Sequence, residues 1–150
     1  MFERILIANR GEVAARVART CRRLGVETVA VHTTMDEGAI HVAACDEAAG
    51  LGDDPAAYLD GRALLDAALA RGVHAVHPGY GPLAGDPTFA RAVTEAGLIF
   101  VGPDAGLLER TQDRLPPRAP AAAHRGRGRA PRRAPATGPP HDPHEVGWSG

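Results

Sequence analysis

Short apolar runs alternate along the first 110 residues with longer segments whose apolar positions recur at helical spacing. The apolar runs predict strands at 5–8, 26–31, 47–51, 74–77 and 98–101. The segments between and after them predict helices at 12–24, 37–44, 61–70, 87–96 and 103–110. Strands that alternate with helices are typical of βαβ units. We therefore predict an α/β fold: a Rossmann-like parallel sheet with helices on both faces.

Capping and stop signals support the helix boundaries. Asp60 and Asp86 are suited to cap the third and fourth helices, and Pro87 suits a first helical position. Three of the helices are followed by a glycine: Gly25, Gly72 and Gly97. The first helix should pack on the sheet through an apolar face formed by Val13, Val17, Thr20 and Leu24.

The composition changes after residue 115. Residues 1–115 contain 11 Arg against 16 acidic residues, whereas residues 116–150 contain 6 Arg against 2 acidic residues, with 8 Pro and 5 Gly. A segment of the second kind cannot bury enough apolar surface to offset its chain entropy. We predict one folded domain at 1–115 and a disordered Arg/Pro/Ala-rich tail at 116–150. The tail could contact nucleic acid through phosphates, but without sequence specificity.

Composition also disfavours several classes of protein. No apolar run approaches the roughly 18 residues of a membrane span, so we expect a cytoplasmic protein without membrane contact. Cys21 and Cys45 indicate reduced thiols. His41 and Cys45 make only half a metal site, and His74 and His77 lie on opposite faces of a strand, so we expect no metal site. All 17 basic residues are Arg, which excludes chemistry that needs a lysine.

Candidate chemistry lies in the loops at the carboxyl ends of the strands, where ligands gather in parallel sheets. The first strand runs through LIANRGEVAAR into a helix with a single turn glycine, Gly11. Asn9 and Arg10 would crowd a dinucleotide pyrophosphate, so this turn is not expected to bind one.

The loop after the fourth strand reads HPGYG, with Gly79 and Gly81 on either side of Tyr80. An aromatic hydroxyl at a strand's carboxyl end is in a functional position, although loops rich in Gly and Pro are also ordinary connectors. The residues leave both interpretations open.

The first helix also carries a polar stripe, formed by Glu12, Arg16, Arg19 and Arg23. This stripe is either a solvated face or a surface that meets acidic groups on a partner subunit. The sequence does not decide between them.

Four segments, in order, resemble the start of a biotin carboxylase: FERILIANRGEVAARVARTCRRLGVETVAVHT, AIHVAACDEA, AVHPGYGPL and IFVGP. The resemblance covers residues 2–110. Biotin carboxylase is the ATP-dependent component of acetyl-CoA, propionyl-CoA and pyruvate carboxylases.

The resemblance implies a pre-ATP-grasp domain of a ligase that uses ATP, Mg²⁺ and bicarbonate to carboxylate biotin on a carrier protein. It implies that Tyr80, with Gly79 and Gly81, faces the substrate cleft, and that Arg16 and Arg19 support a homodimer. The carrier protein and a carboxyltransferase would be the other partners. None of the cofactors is expected to bind tightly to this chain alone.

Two departures from the family bear on activity. The family continues GFLSEN after the tyrosine, but here the segment is GPLAGD, without the Ser-Glu pair. The family's nucleotide-binding lysine corresponds to Arg114, whose planar guanidinium does not reproduce a compact ammonium. Beyond Leu115 the resemblance ends, and we hypothesise that the tail is translated in a shifted reading frame.

The sequence therefore predicts the N-terminal part of an ATP-dependent biotin carboxylase, inactive by itself. The alternative is a non-catalytic module that dimerises or docks onto a carboxylase complex through Arg16 and Arg19. A third reading is a stand-alone nucleotide-binding Rossmann protein. Which acyl-CoA or keto acid the parent system carboxylates is left open.

Overall fold

The computed structural model describes residues 2–113. Its strands form one sheet in the order β3-β2-β1-β4-β5, with bounds β1 Arg4–Ile7, β2 Glu27–His32, β3 Glu47–Gly50, β4 Ala75–His77 and β5 Ile99–Phe100. Its helices are α1 Gly11–Arg23, α2 Ile40–Ala44, α3 Gly61–Ala70, α4 Pro87–Glu95 and α5 Ala105–Asp113. All neighbouring strands are parallel, which confirms the predicted Rossmann-like α/β fold. The predicted tail at 116–150 lies outside the described residues.

The two faces of the sheet are covered differently. On one face, Leu6 of β1 packs in the main core with residues of α3 and α4, among them Leu64 and Phe89. On the other face, Ile7 of β1 packs against Ala14 and Ala18 of α1. Because side chains alternate along a strand, one short strand supplies apolar surface to both layers.

The apolar face predicted for α1 is wrong in detail. The buried side chains of this helix are Ala14, Ala15, Ala18 and Cys21, and Leu24 is 60% exposed. Of the four predicted residues, Val17 packs against the clusters of Ile5 and Ile7, while the fully buried positions are held by small side chains. Val13 and Val17 are only partly buried and border an open groove.

This α1 groove has a volume of about 610 Å³ and lies on the α1 side of the sheet. Register places Ile5 beside Ala75, and Ala75 beside Ile99, on that face. On this face Ala75 of β4 is buried in a cluster with Ile5 and Cys21, whereas Ile99 of β5 is 51% exposed. The groove is lined by Phe2, Ile5, Glu12, Val13, Arg16, Val17, Thr20, Cys21, Leu24, His77, Gly79, Tyr80 and Val101.

The predicted helix caps are confirmed. The Asp60 carboxylate accepts hydrogen bonds from the Arg62 and Ala63 amides at 2.9 and 3.1 Å. Asp86 accepts one from the Thr88 amide at 2.8 Å, with proline at the start of α4. These side chains satisfy amides that have no partner inside the helix. None of the helices described combines the length and apolarity needed to cross a membrane.

The second helix begins later than predicted. The pattern placed its start at residue 37, but α2 begins at Ile40, after a 3₁₀ turn at Thr34–Asp36. The Asp36 carboxylate accepts a hydrogen bond from the distant Tyr58 hydroxyl and does not cap a helix.

Candidate functional site

The chain continues from β1 to β2 and β3 on one side of β1, whereas β4 and β5 lie on its other side. The strand order therefore reverses between β1 and β4. In open parallel sheets the carboxyl ends of two such strands leave a crevice that receives ligands. Here the crevice lies between the turn after β1, which holds Asn9 and Arg10, and the segment after β4. We call residues 78–81, which follow β4, the Tyr80 loop.

The Asn9 side chain bridges this crevice. Its Nδ2 donates hydrogen bonds to the Pro78 and Tyr80 carbonyl oxygens, each at 3.0 Å. Its Oδ1 accepts a hydrogen bond from the Arg10 amide at 2.9 Å. The Asn9 side chain thus links the turn after β1 to the segment after β4.

Gly79 and Gly81 give the Tyr80 loop a backbone that other residues rarely adopt. Their φ angles are +66° and +130°. A Cβ atom at Gly79 would lie 2.3 Å from Nδ2 of Asn9. Glycine is therefore required at residue 79 both for its φ angle and for the close approach of Asn9.

His77 makes the third contact that fixes this loop. The Gly79 amide donates a hydrogen bond to Nδ1 of His77 at 2.9 Å. Nδ1 can accept only when it carries no proton, so in the neutral ring the proton lies on Nε2. Burial lowers the pKa of His77, which favours this neutral form. The ring lies on the α1 side of the sheet and borders the α1 groove.

Tyr80 projects from this braced loop and is 76% exposed. It borders the α1 groove on one side and a smaller cavity of about 250 Å³ on the other. The smaller cavity is also lined by Arg10, Tyr58, Leu59 and Pro82. The tyrosine predicted as a candidate from HPGYG therefore stands at the carboxyl edge of the sheet, between two concave surfaces.

A polar cluster fixes Arg10 beside the smaller cavity. The Tyr58 hydroxyl donates a hydrogen bond to Oδ2 of Asp36 at 2.9 Å and accepts one from the Thr33 amide at 3.3 Å. Arg10 contacts the same carboxylate oxygen at 3.5 Å, and its guanidinium lies 5.1 Å from the centre of the Tyr58 ring. Burial and the bond to Asp36 raise the pKa of Tyr58 to about 12. The hydrogen bond from Tyr58, and then Arg10, lower the pKa of Asp36.

The polar stripe of α1 faces outward. Arg16 and Arg19 are exposed, and neither forms an ion pair with a residue in the range 2–113. Arg16 lies at the border of the α1 groove. Arg114, the counterpart of the family's nucleotide-binding lysine, lies outside the described residues.

The histidines and cysteines do not form a metal site in the part of the chain that the structure describes. His41 is 1% exposed, and its Nε2 lies 3.1 Å from the Val31 carbonyl oxygen, so it is a structural residue. Cys21 and Cys45 are both free thiols.

Residues 1–108 match the family model described as the biotin carboxylase N-terminal domain. Among curated proteins, the mitochondrial methylcrotonoyl-CoA carboxylase subunit alpha of Oryza sativa subsp. japonica is 53% identical over 103 residues, which is 67% of this chain and 14% of that protein. The biotin carboxylase of Pseudomonas aeruginosa is 44% identical over 117 residues, covering 77% of this chain and 26% of the relative.

A solved structure shows the same fold. The biotin carboxylase domain dimer of Hydrogenobacter thermophilus 2-oxoglutarate carboxylase, in complex with MgADP, ADP and bicarbonate, is similar with a TM-score of 0.70 and 44% identity. The similarity covers 73% of this chain and 24% of that chain.

The fold and the family match define the class: this is a biotin carboxylase N-terminal domain. The chain belongs to that family through residues 1–108. It spans about a quarter of the biotin carboxylase that it matches, or less of the longer subunits.

Sequence reasoning identified Tyr80 and its glycines but missed the residues that hold them. Asn9 was considered only as an obstacle to a phosphate, and its partners lie 69 and 71 positions away along the chain. The only signal was the placement of Asn9 and Pro78 directly after two strands that become neighbours in the sheet. Arg10, Asp36 and Tyr58 gave no sequence signal of their shared contact.

Proposed function

We propose that residues 2–113 form the amino-terminal domain of an ATP-dependent biotin carboxylase and contribute Tyr80 to its biotin cleft. The parent reaction uses MgATP and bicarbonate to carboxylate biotin on a carrier protein. The observation that carries the proposal is the exposed Tyr80 on a braced loop at the carboxyl edge of the sheet, in a domain of this family.

The described residues suit a scaffold that presents a side chain. Asn9 bridges the crevice between β1 and β4 by hydrogen bonds to Pro78 and Tyr80, and we infer that nucleotide binding depends on other parts of the enzyme. Phosphoryl transfer depends on positioning and on groups that stabilise the developing charge. We therefore expect this chain by itself to lack biotin-stimulated ATP hydrolysis.

A domain replacement tests the proposal. Residues 1–113 of this chain replace the matching segment of the Pseudomonas aeruginosa biotin carboxylase, and ATP hydrolysis is measured with and without bicarbonate and free biotin. We expect bicarbonate-dependent, biotin-stimulated turnover by the hybrid enzyme and none by the 150-residue chain. In the hybrid, Tyr80→Ala should raise KM for free biotin about tenfold, the effect of losing roughly 1.4 kcal/mol of binding. KM for ATP should change less than about twofold.

Two controls make this result interpretable. Thermal unfolding of the hybrid establishes that it is folded, and Tyr58→Phe alters a tyrosine on the far side of the smaller cavity. A folded hybrid without turnover, or turnover by the unsubstituted chain alone, would contradict the proposal.

The second candidate function is a dimerisation or docking module for a carboxylase complex. It is favoured by Arg16 and Arg19, which are both exposed, and by the place of Arg16 at the border of the apolar α1 groove. An apolar centre with a charged border is typical of protein interfaces.

Charge reversal tests this second function. If α1 forms a dimer contact, Arg16→Glu should shift the chain from dimer to monomer in sedimentation velocity at micromolar concentration. Arg62→Glu is the matched control, because its side chain is 83% exposed on a different helix, α3. An unsubstituted chain that sediments only as a monomer would remove the support for self-association.

A further inference from the structure

The hydrogen-bonding capacity of Asn9 is directed at the Tyr80 loop. Both hydrogens of Nδ2 are donated to carbonyls of that loop, and Oδ1 is held by the Arg10 amide. An aspartate has the same shape but no donor, and its charge would face the Pro78 and Tyr80 carbonyl oxygens. The residue type is therefore specific for this contact.

The Tyr80 loop needs stabilising contacts such as those from Asn9 because of its glycines. Gly79 and Gly81 flank Tyr80, and glycine loses more conformational freedom on ordering than any other residue. Without the contacts from Asn9 and His77, Tyr80 would sample several directions. A side chain that is ordered before its ligand arrives binds with a smaller entropy cost.

We propose that Asn9 and His77 are positioning residues for Tyr80, which they act on through the backbone of the Tyr80 loop. The catalytic consequence rests on the proposed function of Tyr80. The structural part does not, because it concerns the order of the loop in the chain itself.

The hydrogen bond between the Gly79 amide and Nδ1 of His77 depends on pH in a defined direction. The pKa of His77 is lowered in the folded protein, so the neutral ring stabilises the fold above the unfolded value of about 6.5. That contribution is lost as the pH falls below this value through the folded pKa, when Nδ1 gains a proton and can no longer accept from Gly79. The titratable groups that share the groove with His77 are Glu12, Arg16 and Cys21 of α1, and Tyr80.

Fluorine NMR of the full chain labelled with 3-fluorotyrosine tests the role of Asn9. The chain contains two tyrosines, so two resonances are expected, and Tyr58→Phe assigns them. At pH 7, Asn9→Asp should move the Tyr80 resonance towards that of the free amino acid and leave the Tyr58 resonance in place. Exchange of the Gly79 amide should become about tenfold faster, in line with the loss of one or two hydrogen bonds.

The matched control is Gln112→Glu. The Gln112 side chain donates a hydrogen bond to the Gly85 carbonyl at 2.8 Å, so this variant removes an amide donor just beyond the Tyr80 loop. It should leave the Tyr80 resonance unchanged. An unaltered Tyr80 resonance in a folded Asn9→Asp chain overturns the positioning role of Asn9.

Two variants of His77 test its role independently, should Asn9→Asp fail to fold. His77→Asn retains an acceptor near the position of Nδ1 but does not titrate, whereas His77→Ala removes the acceptor. The unsubstituted chain should lose Tyr80 order as the pH is lowered below 6.5, His77→Asn should keep it throughout, and His77→Ala should lack it at every pH. The same pH profile in His77→Asn as in the unsubstituted chain overturns the role of His77.

The hybrid enzyme separates this inference from the proposed function. Asn9→Asp there should raise KM for free biotin about tenfold, with KM for ATP within about twofold. A loosened loop with unchanged KM for biotin would contradict the cleft function of Tyr80 and leave the positioning role intact. An ordered loop in the variant would contradict the positioning role, whatever the kinetics.

Discussion

Replacing Gly79 by alanine is expected to lower the free energy of unfolding by about 3 kcal/mol. The left-handed φ of +66° alone costs a residue with a Cβ about 1–2 kcal/mol. The new Cβ would also lie 2.3, 2.6 and 2.7 Å from Nδ2, Cγ and Cβ of Asn9. This clash involves the root of the side chain as well as its tip, so a change of rotamer does not relieve it. Urea denaturation followed by circular dichroism measures the effect.

Gly72→Ala is the matched control for the clash. Gly72 has a φ of +60°, and nothing lies within 4 Å of an added Cβ. It should therefore show only the conformational cost, about 1–2 kcal/mol. In the double variant Asn9→Gly/Gly79→Ala the clash disappears, so the two substitutions should be less destabilising together than the sum of their separate effects. Equal losses for Gly79→Ala and Gly72→Ala would show that the contact with Asn9 carries no energy.

Leu64→Ala should destabilise the domain by about 2–5 kcal/mol. Leu64 lies on α3 and is 0% exposed within the main core, where it packs in the same cluster as Tyr58 and Leu83. Truncation removes buried methyl groups and leaves a cavity that the parallel sheet cannot collapse to fill. Thermal and urea unfolding of the full chain measure the loss.

The same substitution on the same helix provides the control. Leu69 is 49% exposed, so Leu69→Ala changes the helix in the same way but should cost less than about 0.5 kcal/mol. If the two variants unfolded alike, α3 would not pack on the sheet as described.

The fold was predictable because local and tertiary preferences agree over most of the domain. Asp60 and Asp86 cap their helices, and the glycines after α1 and α3 have positive φ angles. The predictions fail where tertiary packing differs from what the hydrophobic pattern along the chain indicates. Leu24 of α1 was assigned to its core face but is 60% exposed, and the fully buried positions of this helix are held by alanines and Cys21.

The candidate site was predictable only in its exposed part. A tyrosine between two glycines after a buried strand could be singled out from spacing alone. The hydrogen bonds from Asn9 to the Tyr80 loop could not be predicted. They depend on which strands become neighbours in the sheet, and the sequence around Asn9 and around the loop does not indicate this. The same holds for Tyr58 and Asp36, which are 22 positions apart and meet only in the folded chain.

The edges of the sheet restrict how this domain can aggregate. One edge strand, β5, has only two residues, and the other, β3, carries Glu47 in ionic contact with Arg4 and Arg71. A short edge offers few free backbone groups to an incoming strand, and charged side chains on an edge disfavour its pairing, so both features protect against fibril growth. Unwanted association would instead proceed through the apolar α1 groove, by side-chain contact between faces. Aggregates of this domain should therefore be amorphous and not amyloid.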